Sequence, residues 1–207
     1  MAIDITAQNV RDYLEGFGIA VADSVVTDAW ILARISNFIV PLIEKHVRAS
    51  FDGTTQFTDY YSGNGENVLI LRRKNLDSVD SITMVGSTLT YNSSAYEIDL
   101  SNGIIKLKAL LSEGETVKGF PKGSNNIKVV YTGGYSNADL PVDIREAITM
   151  LAAEVVLGNI ANRTGGGDVS TQGFNRSFGE RGKYTMMRDD LKRDAYALLA
   201  KYTRGIA

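Results

Sequence analysis

Three carboxylates lie close together near the end of this 207-residue chain, Asp189, Asp190 and Asp194. Oxygen donors grouped in this way are what a divalent cation requires. Arg188, Lys192 and Arg193 interleave with them, however, so the stretch reads as a solvated helix face whose charges offset one another. Gly165-Gly166-Gly167 offers backbone N–H groups to a phosphate, but it lacks the preceding strand and the following Lys-Ser/Thr of a P-loop and reads as a linker. Gly63-Asn64-Gly65 does not complete a dinucleotide-binding fingerprint and reads as a hairpin turn. The single histidine, His46, stands beside Glu44 and Lys45, where helix-end packing is favoured over metal ligation. The absence of cysteine removes disulfide and thiolate chemistry, and one histidine is too few for an imidazole-based metal site. The residues therefore point to no catalytic group, no cofactor and no metal, and to a protein that is not an enzyme.

Phe174 and Phe178 are a different kind of signal. They stand with Arg176, Arg181, Tyr184 and Arg188 in a polar, glycine-rich stretch that has no local core to bury them. Two readings stay open. The rings fold back on the body of the chain, or they anchor a partner, as aromatic and arginine side chains do at interfaces.

Hydrophobic periodicity places these residues on elements. Thr6 is a helix cap, with Ile5 and Val10 as a staple and Val10, Leu14 and Phe17 at helical spacing. Thr27 or Asp28 caps a second helix that runs to about Phe51, with an apolar stripe of Ile31, Ile35, Phe38 and Leu42 widened by Trp30 and Ile39. Pro41 lies within it and is expected to kink or split it. From Thr54 to Thr132 the signals are β. Strands are predicted at 56–61, 68–72, 78–85, 88–91, 96–100 and 104–107, with the first two forming a hairpin through Gly63-Asn64-Gly65 and the last two through Asn102-Gly103. A loop covers 108–124. Asn126–Thr132 then alternates Ile127, Val129 and Tyr131 with polar or smaller residues, as a half-buried strand does. Gly133-Gly134 ends that strand, and Leu140-Pro141 leads into a helix over about 142–161 marked by Ile144, Ile148, Leu151 and Val155. The stretch 162–183 reads as a flexible loop. A last helix covers about 185–202, with Met187, Leu191, Ala195 and Leu198 in register. The fold class is α+β, a bundle of about four helices formed by 1–53 and 136–207, with a small antiparallel β subdomain inserted at 54–135.

Charge is unevenly spread. Residues 163–207 carry nine Lys/Arg against five Asp/Glu, whereas residues 1–162 carry thirteen against nineteen. Neither part forms the dense basic stripe of a nucleic-acid reader. No apolar run approaches the ~20 residues that span a bilayer, and Met1-Ala2-Ile3-Asp4 gives no expectation of a secretory signal.

A series of short motifs runs in order through the chain: Asp59-Tyr60-Tyr61-Ser62-Gly63-Asn64-Gly65, Val68-Leu69-Ile70-Leu71, Val79-Asp80-Ser81-Ile82, Asn102-Gly103-Ile104-Ile105 and Phe120-Pro121-Lys122-Gly123. Asn126–Tyr131, Thr132-Gly133-Gly134-Tyr135 and Leu140-Pro141 before a helix complete it. The set resembles the head–tail connector (adaptor, or head-completion) proteins of long-tailed bacteriophages and prophages. The resemblance spans about 10–161 and, more loosely, the C-terminal helix. It implies a helical bundle with a β insertion that assembles as a homo-oligomeric ring, commonly a dodecamer, beneath the portal vertex. Such a ring extends the DNA channel and docks the next neck or tail protein. The implied location is the virion neck, with the host cytoplasm during assembly. The implied partners are further copies of the chain, the portal protein, a head-closure (stopper) or tail-completion protein, and genome DNA passing without specific binding. The C-terminal segment, with Phe174, Arg176, Phe178, Arg181, Tyr184 and Arg188, would then reach the portal. The expanded segments 108–124 and 162–183 depart from the family pattern. Rival expectations are another neck component, a stopper or a tail terminator, and, from a different class, a carbohydrate- or cell-surface-binding module.

Overall fold

The computed structural model describes residues 3–22, 24–53, 55–86, 90–91, 93–108, 111–112, 115–116, 119–164 and 174–203, with the backbone alone over 111–112, 115–116, 163–164 and 174–183. The architecture is α+β, as the sequence predicts. It contains α1 (Ala7–Glu15), α2 (Asp28–Arg34), a π-helical turn (Ile35–Ile39) and α3 (Val40–Val47). Strands β1 (Thr55–Gly63), β2 (Val68–Ile70), β3 (Leu76–Met84), β4 (Tyr96–Asp99), β5 (Ile104–Leu107), β6 (Leu111–Ser112), β7 (Glu115–Thr116) and β8 (Gly123–Gly133) follow. Helices α4 (Val142–Thr164) and α5 (Phe174–Thr203) close the chain. Residues 48–139 form one compact unit, and the segments on either side of it form a second.

In the β unit the long strand β8 is the centre of a three-stranded antiparallel sheet, flanked by β1 and β3. The predicted alternation holds: Ile127, Val129 and Tyr131 are fully buried. They join Tyr61 and Ile82 from the flanking strands, Leu69, Tyr96, Ile105 and Leu107 from the second sheet (order β2-β5-β4), and Phe120 in one core. The Asn102-Gly103 hairpin between β4 and β5 forms as expected. The predicted hairpin between 56–61 and 68–72 does not form. β1 pairs with β8 and β2 pairs with β5, in different sheets. Gly63 and Gly65 serve a close crossing of two backbone segments instead. Gly65 N–H donates to the Phe120 carbonyl at 2.9 Å and Phe120 N–H to the Glu66 carbonyl at 2.7 Å. A Cβ on Gly63 would stand 1.9 Å from the Pro121 oxygen, so only glycine fits. The segment 108–124, read as a loop, contains the small β6–β7 ladder and the first residues of β8. The expected strand at 88–91 falls largely outside the described residues; Thr90 bridges to Thr83.

In the helical unit, Thr6 caps α1 through a reciprocal pair of hydrogen bonds with Asn9, and Thr27 caps α2 by accepting from the Trp30 N–H. The second predicted helix departs from expectation in two ways. It ends at Val47 rather than near Phe51, because Arg48 adopts φ 59°, a left-handed conformation that stops a helix. It also changes phase midway. Pro41 brings no N–H to bond the Asn37 carbonyl, so the α-helical ladder has a gap there in any case. The chain widens into a π turn, with the Val40 N–H bonding the Ile35 carbonyl. One extra residue in a turn rotates everything after it by roughly 100°. The buried stripe therefore runs Ile31, Ile35, Ile39, Ile43 and Val47. Phe38 and Leu42, assigned to the stripe from an unbroken 3.6 period, face solvent.

Helix α4 starts after Pro141, whose carbonyl accepts from the Ile144 and Arg145 N–H groups. It buries Ile144, Ile148 and Leu151 as predicted, whereas Val155, the fourth residue of that spacing, is half-buried and Val156 is the buried one. Two ion pairs give the direction of its packing on α5: Arg188 meets Glu154, and Lys201 meets Asp143. The helices are thus antiparallel, with 188 level with 154 and 201 level with 143. Among the described side chains of α5, Leu191 and Ala195 are buried as predicted, Leu199 is buried in place of Leu198, and Met187 and Leu198 are half-buried. No described helix is long and apolar enough to cross a membrane.

Candidate interaction surfaces

The stretch expected to be a loop, 162–183, is helical at both ends. Residues 162–164 complete α4 and 174–183 form the first turns of α5; Gly165–Gly167 lie outside the described residues. Gly179 and Gly182 each cost about 1 kcal/mol in a helix interior. Once the C-terminal half of α5 is docked on α4, however, extending the helix adds a hydrogen bond per residue with no new nucleation cost. At the register fixed by the two ion pairs, residue 179 is level with Thr164. Phe174, Arg176 and Phe178 are therefore carried on turns of α5 that extend past the end of α4, with Arg181 just inside it. The side chains of these four residues lie outside the described ones.

Tyr184 is half-buried. Arg188 is held within the chain. Its Nε and Nη2 donate to Glu154 Oε1 at 3.0 and 2.6 Å. Gly158 makes room for it, since a Cβ there would lie 3.1 Å from the guanidinium carbon. The acidic group at 189–194 is the charged face expected: Arg193 pairs with Asp190 at 2.7 Å and with Asp194 at 3.1 Å, all well exposed. His46 packs edge-on against Tyr196, with ring centroids 5.3 Å apart. No cluster of three metal-ligating side chains occurs among the described residues.

Two polar networks stiffen the β unit. Asp59, partly buried, accepts from the Tyr131 hydroxyl at 2.5 Å and from Arg72 at 3.3 Å, while the Tyr61 hydroxyl accepts from the Arg72 backbone N–H at 2.9 Å. Burial, and then hydrogen bonding to the Asp59 carboxylate, push the Tyr131 phenol far above its ordinary range, so it stays a donor. On the opposite, exposed face, Asp80 falls between the register pairs of Val79 and Ser81, the position of a β-bulge. Its carboxylate accepts from Gln56 at 2.8 Å, Ser78 at 2.8 Å and Thr132 at 3.3 Å. These donors hold Asp80 below the usual carboxylate range. Both networks tie strands together and expose no reactive group.

The apolar surface sequence reasoning missed is on the helical unit. Phe38, within the π turn, is 60% exposed and Leu42, on the next turn, 47%. The Arg34 guanidinium carbon lies 5.1 Å from the Trp30 ring centroid and 4.9 Å from that of Phe38. Pro41 was the signal available in the sequence, because a helix that must break its ladder also changes its phase.

No family model and no curated protein matches the chain. Among solved structures, it is similar to a chain in the neck of an empty gene transfer agent (GTA) particle computed with C6 symmetry, with TM-score 0.49 and 19% identity. It is similar also to one in the neck of the native GTA particle computed with C12 symmetry (0.47, 17%) and one in the virion of the native GTA particle (0.49, 18%). Each match covers 74% of this chain and 80% of the other. Likeness at this level carries no functional conclusion.

Proposed function

We propose that this chain is a non-enzymatic structural protein of the neck of a phage-like particle, in the adaptor position. There it assembles as a ring, of twelve copies by the family pattern, under the portal vertex. The ring extends the DNA channel and offers the docking surface for a stopper or tail-completion protein. The observation that carries this reading is the ordered motif series from Asp59 to Leu140-Pro141, set on an α+β chain of the expected class. The acidic balance of residues 1–162 supports a channel that lets DNA pass, since phosphate contacts by Lys and Arg would add affinity and friction. The turns of α5 that extend past α4 are the proposed reach to the portal. Phe174, Arg176, Phe178 and Arg181 contact it, with Tyr184 at the base. Arg188 braces the helix that carries them.

The test is electron microscopy of a lysate in which this gene carries a nonsense mutation. Heads, packed or leaking, beside separate complete tails are expected. Normally joined virions overturn the reading. Changing Phe174 and Phe178 together to alanine is expected to abolish capture by the portal protein, and retained capture refutes the contact assigned to them.

A further inference from the structure

The helical unit carries two exposed aromatic surfaces of opposite charge. The first is the ridge of Trp30, Arg34, Phe38 and Leu42. Arg34 is held between two rings, and no carboxylate pairs with it among the described residues. A cation fixed over aromatic faces and ringed by apolar groups is the composition of an interface centre, where Trp, Tyr and Arg concentrate. An apolar residue turned outward by a π turn, beside a cation without a counter-ion, calls for a partner that is both apolar and anionic.

The second surface supplies that chemistry. Phe17, 48% exposed, stacks on Tyr13 at 5.4 Å at the end of α1. Helix α1 packs on α4, whose first turns carry Glu146, and the Glu146 charge helps raise the Tyr13 phenol, a smaller effect than the burial of that phenol. Glu146 is exposed and makes no ion pair among the described residues. Asp194 acts on Tyr13 as well, but it is already paired with Arg193.

A closed ring needs two different, complementary faces on every subunit. We infer that the Trp30–Arg34–Phe38–Leu42 ridge of one copy docks on the Tyr13–Phe17–Glu146 surface of the next, with Arg34 paired to Glu146 across the contact. The inference rests on the ring of the proposed function and assigns its lateral faces.

Charge exchange tests it on the full chain, by sedimentation velocity across a concentration series. Arg34→Glu alone and Glu146→Arg alone are each expected to weaken self-association by roughly tenfold or more, because each places like charges opposite one another in a desolvated contact. The double variant Arg34→Glu/Glu146→Arg is expected to return to within about threefold of wild type. Both substitutions are at the surface, so circular dichroism should show the helical content of wild type in all three variants. Single variants that associate like wild type, or a double variant no better than either single one, overturn the inference. A wild-type chain that is monomeric at every concentration overturns it too. None of these outcomes bears on the neck assignment, which the nonsense-mutant micrographs decide separately.

Discussion

Replacing Gly63 with alanine should destabilise the β unit far more than a methyl added at an open turn of the same unit. The added Cβ would sit 1.9 Å from the Pro121 carbonyl oxygen and 2.9 Å from its carbon, against an ordinary closest approach of more than 3 Å. Both groups are backbone, so no side chain can swing aside. The two segments must part by more than an ångström. That stretches the Gly65–Phe120 and Phe120–Glu66 hydrogen bonds and unseats Phe120, which is fully buried. Two backbone hydrogen bonds contribute about 1 kcal/mol each, and forced repacking of a core side chain costs about 1–3 kcal/mol. The expected loss is therefore about 3–5 kcal/mol, a large part of the ~5–15 kcal/mol that holds a domain folded. Gly86→Ala is the control. It has φ +80° but nothing within 4 Å of the new methyl. Its cost is left-handed strain of about 1–2 kcal/mol, offset by up to about 1 kcal/mol from the stiffer unfolded chain. Urea unfolding followed by near-ultraviolet circular dichroism compares the two. A loss under about 1 kcal/mol for Gly63→Ala, or equal losses for both, refutes the crossing as the reason for glycine here.

Three further outcomes follow from the geometry. Phe38→Ser should change the stability of the chain by less than about 0.5 kcal/mol, whereas Ile43→Ala, at a fully buried site, should cost about 2–5 kcal/mol; thermal denaturation of the two variants checks the phase shift made by the π turn. Glu154→Gln should cost about 1 kcal/mol and loosen α5, read as faster amide exchange over 184–192, because Arg188 then keeps a neutral acceptor in a half-buried site. Asp80 is ionised more readily in the folded chain than in the unfolded one, so its contribution is complete above its unfolded pKa of about 4 and fades as pH falls through the lower folded value. The melting-temperature gap between wild type and Asp80→Asn should therefore be flat above about pH 5 and narrow below about pH 4, and a gap that widens on acidification would contradict the network.

What the sequence made legible was local. The Thr6 cap, the alternation in β8, the Asn102-Gly103 hairpin and the first three apolar positions of α4 are each specified within a few residues, and each forms as read. The misreadings share the opposite property. β1 passes over its sequence neighbour β2 for β8, whose Tyr131 lies opposite Phe57; a nine-residue strand gains more from an eleven-residue partner than from three-residue β2, however turn-like Gly63-Asn64-Gly65 looks. The start of α5 was hidden by its glycines, because propensity is scored residue by residue while a docked helix extends from a nucleus already formed. The surface proposed as the lateral contact was hidden by phase. Read at 3.6 residues per turn, Phe38 and Leu42 belong to the core; one π turn ahead of Pro41 sends them outward and brings Ile43 in beside Ile39, which the reading had placed at the edge of the stripe. A proline-induced change of phase costs a helix part of its ladder, and here it places Phe38 beside an arginine that has no counter-ion among the described residues. A monomer gains nothing from that exchange, whereas a subunit that must present a second face to its neighbour does.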